Sequence, residues 1–234
     1  MVDLLDGVKW YLVFLFSTCC HEAAHAWTAQ RLGDDTASRG GQVTLDPTPH
    51  IRRSPFGMVV APIVSFALGG WMIGWASTPY DPEWAARHPR RAAWMALAGP
   101  AANLGLVLVA ALAMRIGFEW HVFGRSAHTG LLNIVSGAGP ADGGWVFCAK
   151  MASLLFSLNL LLGTFNLVPL PPLDGRSIPL LFLSREAAQR YWLALGQPMF
   201  SYLGLFAAWK LLDAAFPSVF HLALQLLYTV LPAR

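Results

Sequence analysis

The segment His21-Glu22-Ala23-Ala24-His25 lies inside an apolar stretch at residues 8–28, and this placement restricts what the chain can fold into. A stretch of about 20 apolar residues is long enough for an α-helix that crosses a bilayer. In a helix His21 and His25 lie on one face, so both imidazoles can bind one metal ion. An ionisable side chain near the bilayer centre costs about 2.5–3.5 kcal/mol. Three such side chains in one short segment therefore indicate a metal partner more than a chance pattern.

The composition is that of an integral membrane protein. Hydrophobic residues make up 56% of the chain and charged residues 12%, and the mean hydropathy is +0.49. Soluble domains carry roughly 25% charged residues. The net charge is only +3 and the arginines fall in loops, so the expected partner is the lipid bilayer and not nucleic acid. Cys19, Cys20 and Cys148 lie within or beside apolar runs and predict no disulfide framework.

The order of apolar and polar segments predicts an all-α polytopic membrane protein with about four to six transmembrane helices, in a single domain over residues 1–234. Glycine pairs and β-branched residues at 40–44 favour a short β-hairpin. Pro62, Gly69 and Gly70 interrupt the second apolar stretch, which predicts a re-entrant or broken segment near the active site. The predicted segments are a span at 8–28, a hairpin loop at 30–55, the broken segment at 56–77, spans at 92–114, 144–167 and 191–212, and a short span or interfacial helix at 216–231.

A metal site built on the two histidines needs a further ligand, because catalytic zinc usually has three protein ligands and a water molecule. Asp174 is the best candidate. It follows a proline-broken extension of an apolar span, and irregular backbone at membrane depth is tolerated only beside protein or a cavity. The Asp174-Gly175 pair is equally typical of an ordinary turn. Rival ligands lie in the polar loop after the first span, at Asp34, Asp35, Asp46 and His50.

Two further motifs make the pattern specific. One is an Asn-x-x-Pro…Asp-Gly pattern after the fourth apolar stretch, and the other is a Gly-Pro-x-x-Asn element in the third. Their residues are Asn166, Pro169, Asp174 and Gly175 for the first and Gly99, Pro100 and Asn103 for the second. With the His-Glu-x-x-His segment, these motifs resemble the site-2 protease family of intramembrane zinc metalloproteases. The resemblance runs from about residue 8 to residue 177 and fits the compact bacterial and archaeal branch, which lacks PDZ and CBS modules.

The resemblance implies one Zn²⁺ ion bound by His21, His25 and Asp174, with Glu22 as the general base and acid. Asn166 is the candidate for a hydrogen bond to the developing oxyanion or to the substrate backbone, and its alternative is an interhelical polar contact. Weaker candidates for substrate contact are His50 in the loop nearest the first motif, Val43 and Thr44 as strand edges, and Asn103, for which a structural role is the alternative.

Depth and charge predict how the chain lies in the membrane. The histidine pair and Asp174 must meet at one depth, and both lie near the C-terminal ends of their spans, so those spans run parallel. An odd number of crossings must then separate the spans, so one of the two intervening apolar segments, 56–77 and 92–114, does not cross. Segment 56–77 is expected to turn back, because proline and glycine residues break it. The arginines on either side of that segment then share the side of Arg176. By the positive-inside rule, the active-site end is cytoplasmic and the N-terminus lies outside, in what is expected to be a prokaryotic cell membrane.

The predicted function is that of an intramembrane zinc metalloendopeptidase, which hydrolyses peptide bonds within or beside transmembrane segments of membrane proteins. Its substrate must present an unwound segment, because the amides of a helix are already hydrogen-bonded. One alternative is a divalent-metal transporter, although a transport path would spread acidic and histidine residues through several spans. Another is an inactive relative that binds membrane segments without cutting them, although the intact Glu22 and histidine pair argue against it.

Overall fold

The computed structural model describes residues 4–140, 143–195 and 198–231, and its fold is mostly helical with one small sheet. The elements in chain order are α1 (Leu4–Leu32), α2 (Thr36–Arg39), α3 (Pro47–Arg53), a π-helical turn (Phe56–Val60) that continues into α4 (Ala61–Gly69), α5 (Pro82–Arg87), α6 (Pro89–Glu119), β1 (Phe123–Arg125), β2 (Val135–Gly137), α7 (Gly144–Asn166), a 3₁₀ helix (Asp174–Leu181), α8 (Arg185–Leu195) and α9 (Pro198–Val230). The predicted fold class, helical with a short β-hairpin and a bent segment, is confirmed.

Three helices of the described residues, α6, α7 and α9, are long and apolar enough to cross a membrane. A fourth span results if α3 and the helical stretch Phe56–Gly69, which form a bent pair, count as one. The sequence predicts four to six. The predicted spans 92–114 and 144–167 correspond to α6 and α7. The 29 residues of α1 would extend about 43 Å, which is ample length, but Asp6, Lys9 and the histidine motif make this helix less apolar than the other three.

One face of α1 is buried along most of the helix. Phe14, Ser17, His21 and His25 follow one another at intervals of three or four residues, and all four are buried. Because such intervals place side chains on the same side of a helix, the face that packs against the rest of the fold is also the face that carries the two histidines. The packing of α1 therefore fixes the orientation of the motif.

The segment predicted as broken, residues 56–77, is not a straight helix. The helical stretch Phe56–Gly69 meets α3 at an angle of 113°. It ends at Gly70, whose φ of +73° is readily adopted by glycine and rarely by other residues. The chain then returns without a helix or a paired strand, and the Trp75 N–H donates to the Gly57 carbonyl at 3.1 Å. The outgoing and returning limbs thus lie side by side, and the prediction of a broken segment is confirmed.

The β-hairpin lies elsewhere than the sequence predicts. The paired strands are β1 and β2, whereas residues 30–55 contain the short helices α2 and α3. Helix-capping chemistry explains the difference, because the Asp46 carboxylate accepts the Thr48 N–H at 2.8 Å and Pro47 occupies the first turn of α3. These signals outweigh the glycine and β-branched pattern at 40–44, where none of the described residues forms a strand.

The C-terminal part of the chain also differs from the prediction. The sequence predicts a span at 191–212 and a separate element at 216–231, but α9 is one helix that runs through most of both. The start of the first predicted span belongs to α8, and residues 196–197 lie outside the described residues. Lys210 and Asp213, near the end of the first predicted span, are exposed and lie within the continuous helix α9.

The chain divides into two compact units, where the sequence predicts one domain. The first unit comprises Met1–Asn103 and Leu162–Leu212, and the second comprises Leu104–Leu161 and Asp213–Arg234. In the first unit a small apolar cluster packs the end of α1 against α5 and the start of α6. All the residues predicted to bind metal, act in catalysis or contact substrate belong to this first unit.

The second unit has its own apolar core. Its buried side chains include those of Met114, Phe118, Ile134, Phe156 and Leu227, which come from α6, the approach to β2, α7 and α9. The hairpin in this unit is antiparallel, and its two strands are only three residues long. None of the predicted site residues lies in this unit.

Candidate active site

The three predicted metal ligands come together. His21 Nε2 lies 2.9 Å from His25 Nε2, and Asp174 Oδ2 lies 3.1 Å from the first nitrogen and 3.4 Å from the second. Two atoms that are each about 2.0–2.1 Å from a tetrahedral Zn²⁺ ion are about 3.3–3.4 Å apart. Within the described ranges, this is the one group of three or more histidine, cysteine or acidic side chains whose ligand atoms are close enough to share a metal ion.

Hydrogen bonds on the far side of each imidazole fix which nitrogen faces the group. His25 Nδ1 lies 2.8 Å from the carbonyl oxygen of Met95, and His21 Nδ1 lies 2.6 Å from Oδ1 of Asn103. A carbonyl oxygen can only accept, so each Nδ1 carries the proton and donates it. In the neutral imidazoles, both Nε2 atoms therefore present a lone pair. Such outer hydrogen bonds are typical of metal-binding histidines.

The residues present fit a bound cation. Asp174 Oδ2 is buried and has no hydrogen-bond donor among the described residues, and it faces the two Nε2 lone pairs. Three acceptors within 2.9–3.4 Å of one another repel unless a positive charge lies between them. Two imidazoles and one carboxylate form a donor set that Zn²⁺ accepts.

Asp174 is held by the irregular chain that follows α7. It begins a 3₁₀ helix, and an added Cβ at the neighbouring Gly175 would lie 2.3 Å from the Leu167 carbonyl oxygen, so only glycine permits this approach of the two backbones. A carboxyl group binds a metal ion as the ionised carboxylate, which is the form of Asp174 that the proposed site requires.

Glu22 lies next to the first ligand in α1 and is buried. Its Oε2 accepts a hydrogen bond of 2.7 Å from the hydroxyl of Thr78, which also lies 3.0 Å from the Glu22 backbone oxygen. Thr78 directly follows the returning limb of the broken segment. The chain at this point thus positions the carboxylate of Glu22, which is not one of the three predicted metal ligands.

Gly99 of α6 packs directly against the two imidazoles. A Cβ atom at this position would lie 2.3 Å from His25 Nε2 and 2.5 Å from His21 Nε2. Any side chain here would therefore occupy the place where the nitrogen lone pairs meet. Gly99 and Asn103 are four residues apart on one face of α6, so the same helix face leaves room for the group and orients His21.

The remaining predicted site residues make other contacts. The Asn166 amide donates to the Leu162 carbonyl at 3.1 Å, within its own helix, and none of its described hydrogen bonds reaches the group of three. His50 is buried, and its Nε2 donates to the Thr44 carbonyl at 3.0 Å. Val43 is exposed in the loop before α3. The catalytic or substrate-binding roles of these residues remain predictions, whereas Asn103 contacts a predicted metal ligand.

The rival ligands are accounted for by structural contacts. Asp34 accepts from the Thr36 N–H at 3.0 Å and from the Asp81 N–H at 2.9 Å, and these hydrogen bonds outweigh the effect of burial and lower the pKa of its carboxyl. Asp35 pairs with Arg39 on the surface. Asp46 caps α3, as described above. Each of these three carboxylates thus makes a structural contact.

Sequence reasoning missed three features of the site: the Thr78 hydroxyl, the Met95 carbonyl and the function of Gly99 as a space for the ligand atoms. The first two depend on contacts between residues far apart in the sequence, which residue spacing does not predict. The third had a readable signal, because a glycine that precedes an interhelical asparagine by one turn indicates a close approach between helices.

Comparisons with known proteins give an independent line of evidence. A model described as Peptidase family M50 matches residues 10–207. YwhC of Bacillus subtilis, provisionally named a zinc metalloprotease, is 29% identical over 226 residues, which cover 91% of this chain and 90% of YwhC.

Rip2 of Mycobacterium tuberculosis carries the same provisional name. It is 33% identical over 162 residues, which cover 69% of this chain and 52% of Rip2, so the match spans about half the length of that relative. No solved structure matches the chain.

Proposed function

Because the chain belongs to peptidase family M50, the family of the site-2 proteases, we propose that it is a zinc metalloendopeptidase that hydrolyses peptide bonds within or beside transmembrane segments of other membrane proteins. The observation that carries the proposal is the convergence of two imidazole nitrogens and one carboxylate oxygen beside a buried glutamate. This arrangement occurs in a chain with several helices apolar enough to cross a membrane.

The proposed cofactor is one Zn²⁺ ion held by His21, His25 and Asp174. The donor set supports zinc, and so do the names of YwhC and Rip2 as zinc metalloproteases. When bound in such a site, zinc lowers the pKa of a water molecule towards neutrality and polarises the scissile carbonyl. Asn103 and the Met95 carbonyl keep the two imidazoles in the tautomer and orientation that binding requires.

Glu22 is the proposed general base and general acid. Thr78 engages Oε2, so we assign Oε1 as the atom that takes the proton of the attacking water. Glu22 then passes this proton to the nitrogen of the scissile amide as the C–N bond breaks, which restores the carboxylate. The Thr78 hydrogen bond limits rotation of the carboxylate, so less conformational freedom is lost when the reacting groups align.

The proposed substrate is a membrane protein whose segment near the scissile bond is unwound. The structure supports an approach along the returning limb of the broken segment, because this limb is not helical and leads to Thr78, which contacts Glu22. Val43, Thr44 and His50 in the neighbouring loop, and Asn166 beyond α7, are retained as proposed substrate contacts. The active-site end is assigned to the cytoplasmic side by the positive-inside rule.

The proposal is tested by incubating the purified chain in detergent with a panel of single-span membrane proteins, beside a Glu22→Gln variant, with the zinc content of both measured. Cleavage by the parent alone, with about one zinc ion in each protein, is the expected result, since glutamine preserves the shape of Glu22 but cannot take the proton. Equal cleavage by both proteins would exclude Glu22 as the base. Absence of zinc from a folded, active parent would exclude the metal mechanism.

A further inference from the structure

A cavity of about 350 Å³ in the first unit is lined by none of the candidate active-site residues. Its wall is formed by the start of α6 and by the chain that leads into α8. The polar lining residues are His88, Arg90, Arg91, Ser184 and Arg185. A volume of this size admits a small polar group such as a phosphate with its attached glycerol.

The cavity has an excess of positive charge. Among the described residues, Arg90, Arg91 and Arg185 form no ion pair with an acidic side chain on another element, and the Arg91 guanidinium donates to the backbone oxygen of Leu32. Glu186, next to Arg185 in the sequence, interacts with Ser184 and with its own backbone at the start of α8. Three arginines therefore line one cavity, and Arg90 and Arg185 have no described hydrogen bond that engages their guanidinium groups. Guanidinium groups bind phosphate oxygens in a bidentate manner.

The position of the cavity along α6 indicates the depth of lipid headgroups. Arg90 and Arg91 lie in the first turn of a helix long and apolar enough to span a membrane. Trp94, one turn further on, is 59% exposed, and tryptophan is enriched at the membrane–water interface. Phe182, which precedes the lining residue Leu183, is 80% exposed. Exposed apolar side chains beside the cavity suit an acyl chain, and a free phosphate ion would not require them.

We infer that this cavity binds the phosphodiester headgroup of an anionic phospholipid, with Arg90 and Arg185 as its principal ligands. The shared chemistry of the ligand is a phosphate group. The apolar flank formed by Trp94 and Phe182 selects a lipid rather than the free ion. The inference is independent of the proteolytic function, because none of the cavity residues belongs to the candidate active site.

The test counts the phospholipid molecules that remain bound to the full detergent-solubilised chain by native mass spectrometry, during titration with phosphatidylglycerol, phosphatidylcholine or inorganic phosphate. The Arg90→Gln/Arg185→Gln double variant is compared with Arg52→Gln/Arg190→Gln, which loses the same charge from exposed arginines outside the cavity. We expect phosphatidylglycerol to bind the parent in preference to phosphatidylcholine. Affinity should fall about fivefold for each cavity arginine removed and change less than twofold in the control.

Three results would overturn the inference. Equal loss in the two double variants would mean a diffuse effect of surface charge. Equal binding of phosphatidylcholine would mean that the cavity does not select an anion. Displacement of the lipid by millimolar inorganic phosphate would mean that the ligand is the free ion. Thermal unfolding of each variant identifies misfolding, and a single Arg185→Gln variant, in an exposed first turn, supplies the comparison if the double variant does not fold.

Discussion

Two regions of the first unit contain buried histidines, and they differ in where the imidazole lone pairs point. His50 is more buried than either His21 or His25. Its Nε2 donates to a loop carbonyl, and its Nδ1 has no described hydrogen-bond partner. In the other region both Nδ1 atoms donate to acceptors, so both Nε2 atoms face Asp174. Burial alone therefore does not identify a metal site, whereas hydrogen bonds that direct several lone pairs to one point do.

The largest expected difference between the two regions is in metal binding. His25→Ala should abolish retention of zinc and reduce cleavage by more than the 10–100-fold that loss of an outer hydrogen-bond partner usually causes. His50→Gln should retain about one zinc ion, because glutamine can still donate to the Thr44 carbonyl. The zinc content of the two purified variants measures this difference. Loss of zinc from the His50 variant would mean that His50 also contributes to metal binding.

A glycine-to-alanine pair on α6 sharpens the same comparison without touching a ligand. Gly99→Ala should eliminate zinc binding, because the added methyl group would lie 2.3–2.5 Å from the two Nε2 atoms. Gly105→Ala on the same helix meets no atom within 4 Å and should bind zinc normally, with a gain in stability of about 0.5–1 kcal/mol from helix propensity. Zinc content and thermal unfolding are measured for both. Normal zinc binding by the Gly99 variant would show that the imidazoles can move apart.

The geometry of these two regions was predictable from the sequence to different degrees. Spacing in a helix placed His21 and His25 on one face, and the break after α7 singled out Asp174, because backbone chemistry at these positions is local. The proline and glycine residues of segment 56–77 likewise predicted a broken helix. Such signals act over a few residues, so one sequence suffices to read them.

Features that depend on distant contacts could not be read in this way. Thr78 lies 56 positions after Glu22, and only the turn at Gly70 brings the returning limb to α1. The actual hairpin strands are three residues long, too short for an alternating pattern. The helix at 47–53 could have been predicted from local sequence, because the Asp46-Pro47 pair is a helix-start signal that competes with the nearby glycines.

An intermediate effect is expected at the hydrogen bond that positions Glu22. Thr78→Val removes the hydroxyl at nearly constant volume and should lower kcat about 10–100-fold, the range expected for a hydrogen bond to a charged group. Thr78→Ser should retain most of the activity, and both variants should retain zinc. Parallel measurement of kcat, KM and zinc content separates this effect from misfolding. A valine variant with normal kcat would mean that the carboxylate is fixed by other contacts.

The smallest expected effect concerns the structural acid Asp34, which ties the end of α1 to α2 and α5. Its pKa is lowered in the folded state, so its stabilising contribution is full above the unfolded pKa of about 3.9 and is lost as the pH falls through the folded value. Asp34→Asn should destabilise the protein by about 1–3 kcal/mol at pH 7, and the difference from the parent should shrink below about pH 4. Zinc content should not change. Thermal unfolding at several pH values measures both effects, and a difference that persists in acid would contradict the assignment.

The central claim is that His21, His25 and Asp174 bind one metal ion through two nitrogens and one oxygen. X-ray absorption spectroscopy of the zinc-loaded protein tests it most directly, because the spectrum reports the identity and distance of the ligand atoms. The expected result is two imidazole ligands, with all nitrogen and oxygen atoms at about 2.0–2.2 Å and no sulfur at about 2.3 Å. A sulfur ligand, which would implicate Cys19 or Cys20, or the signature of a single imidazole would contradict the claim.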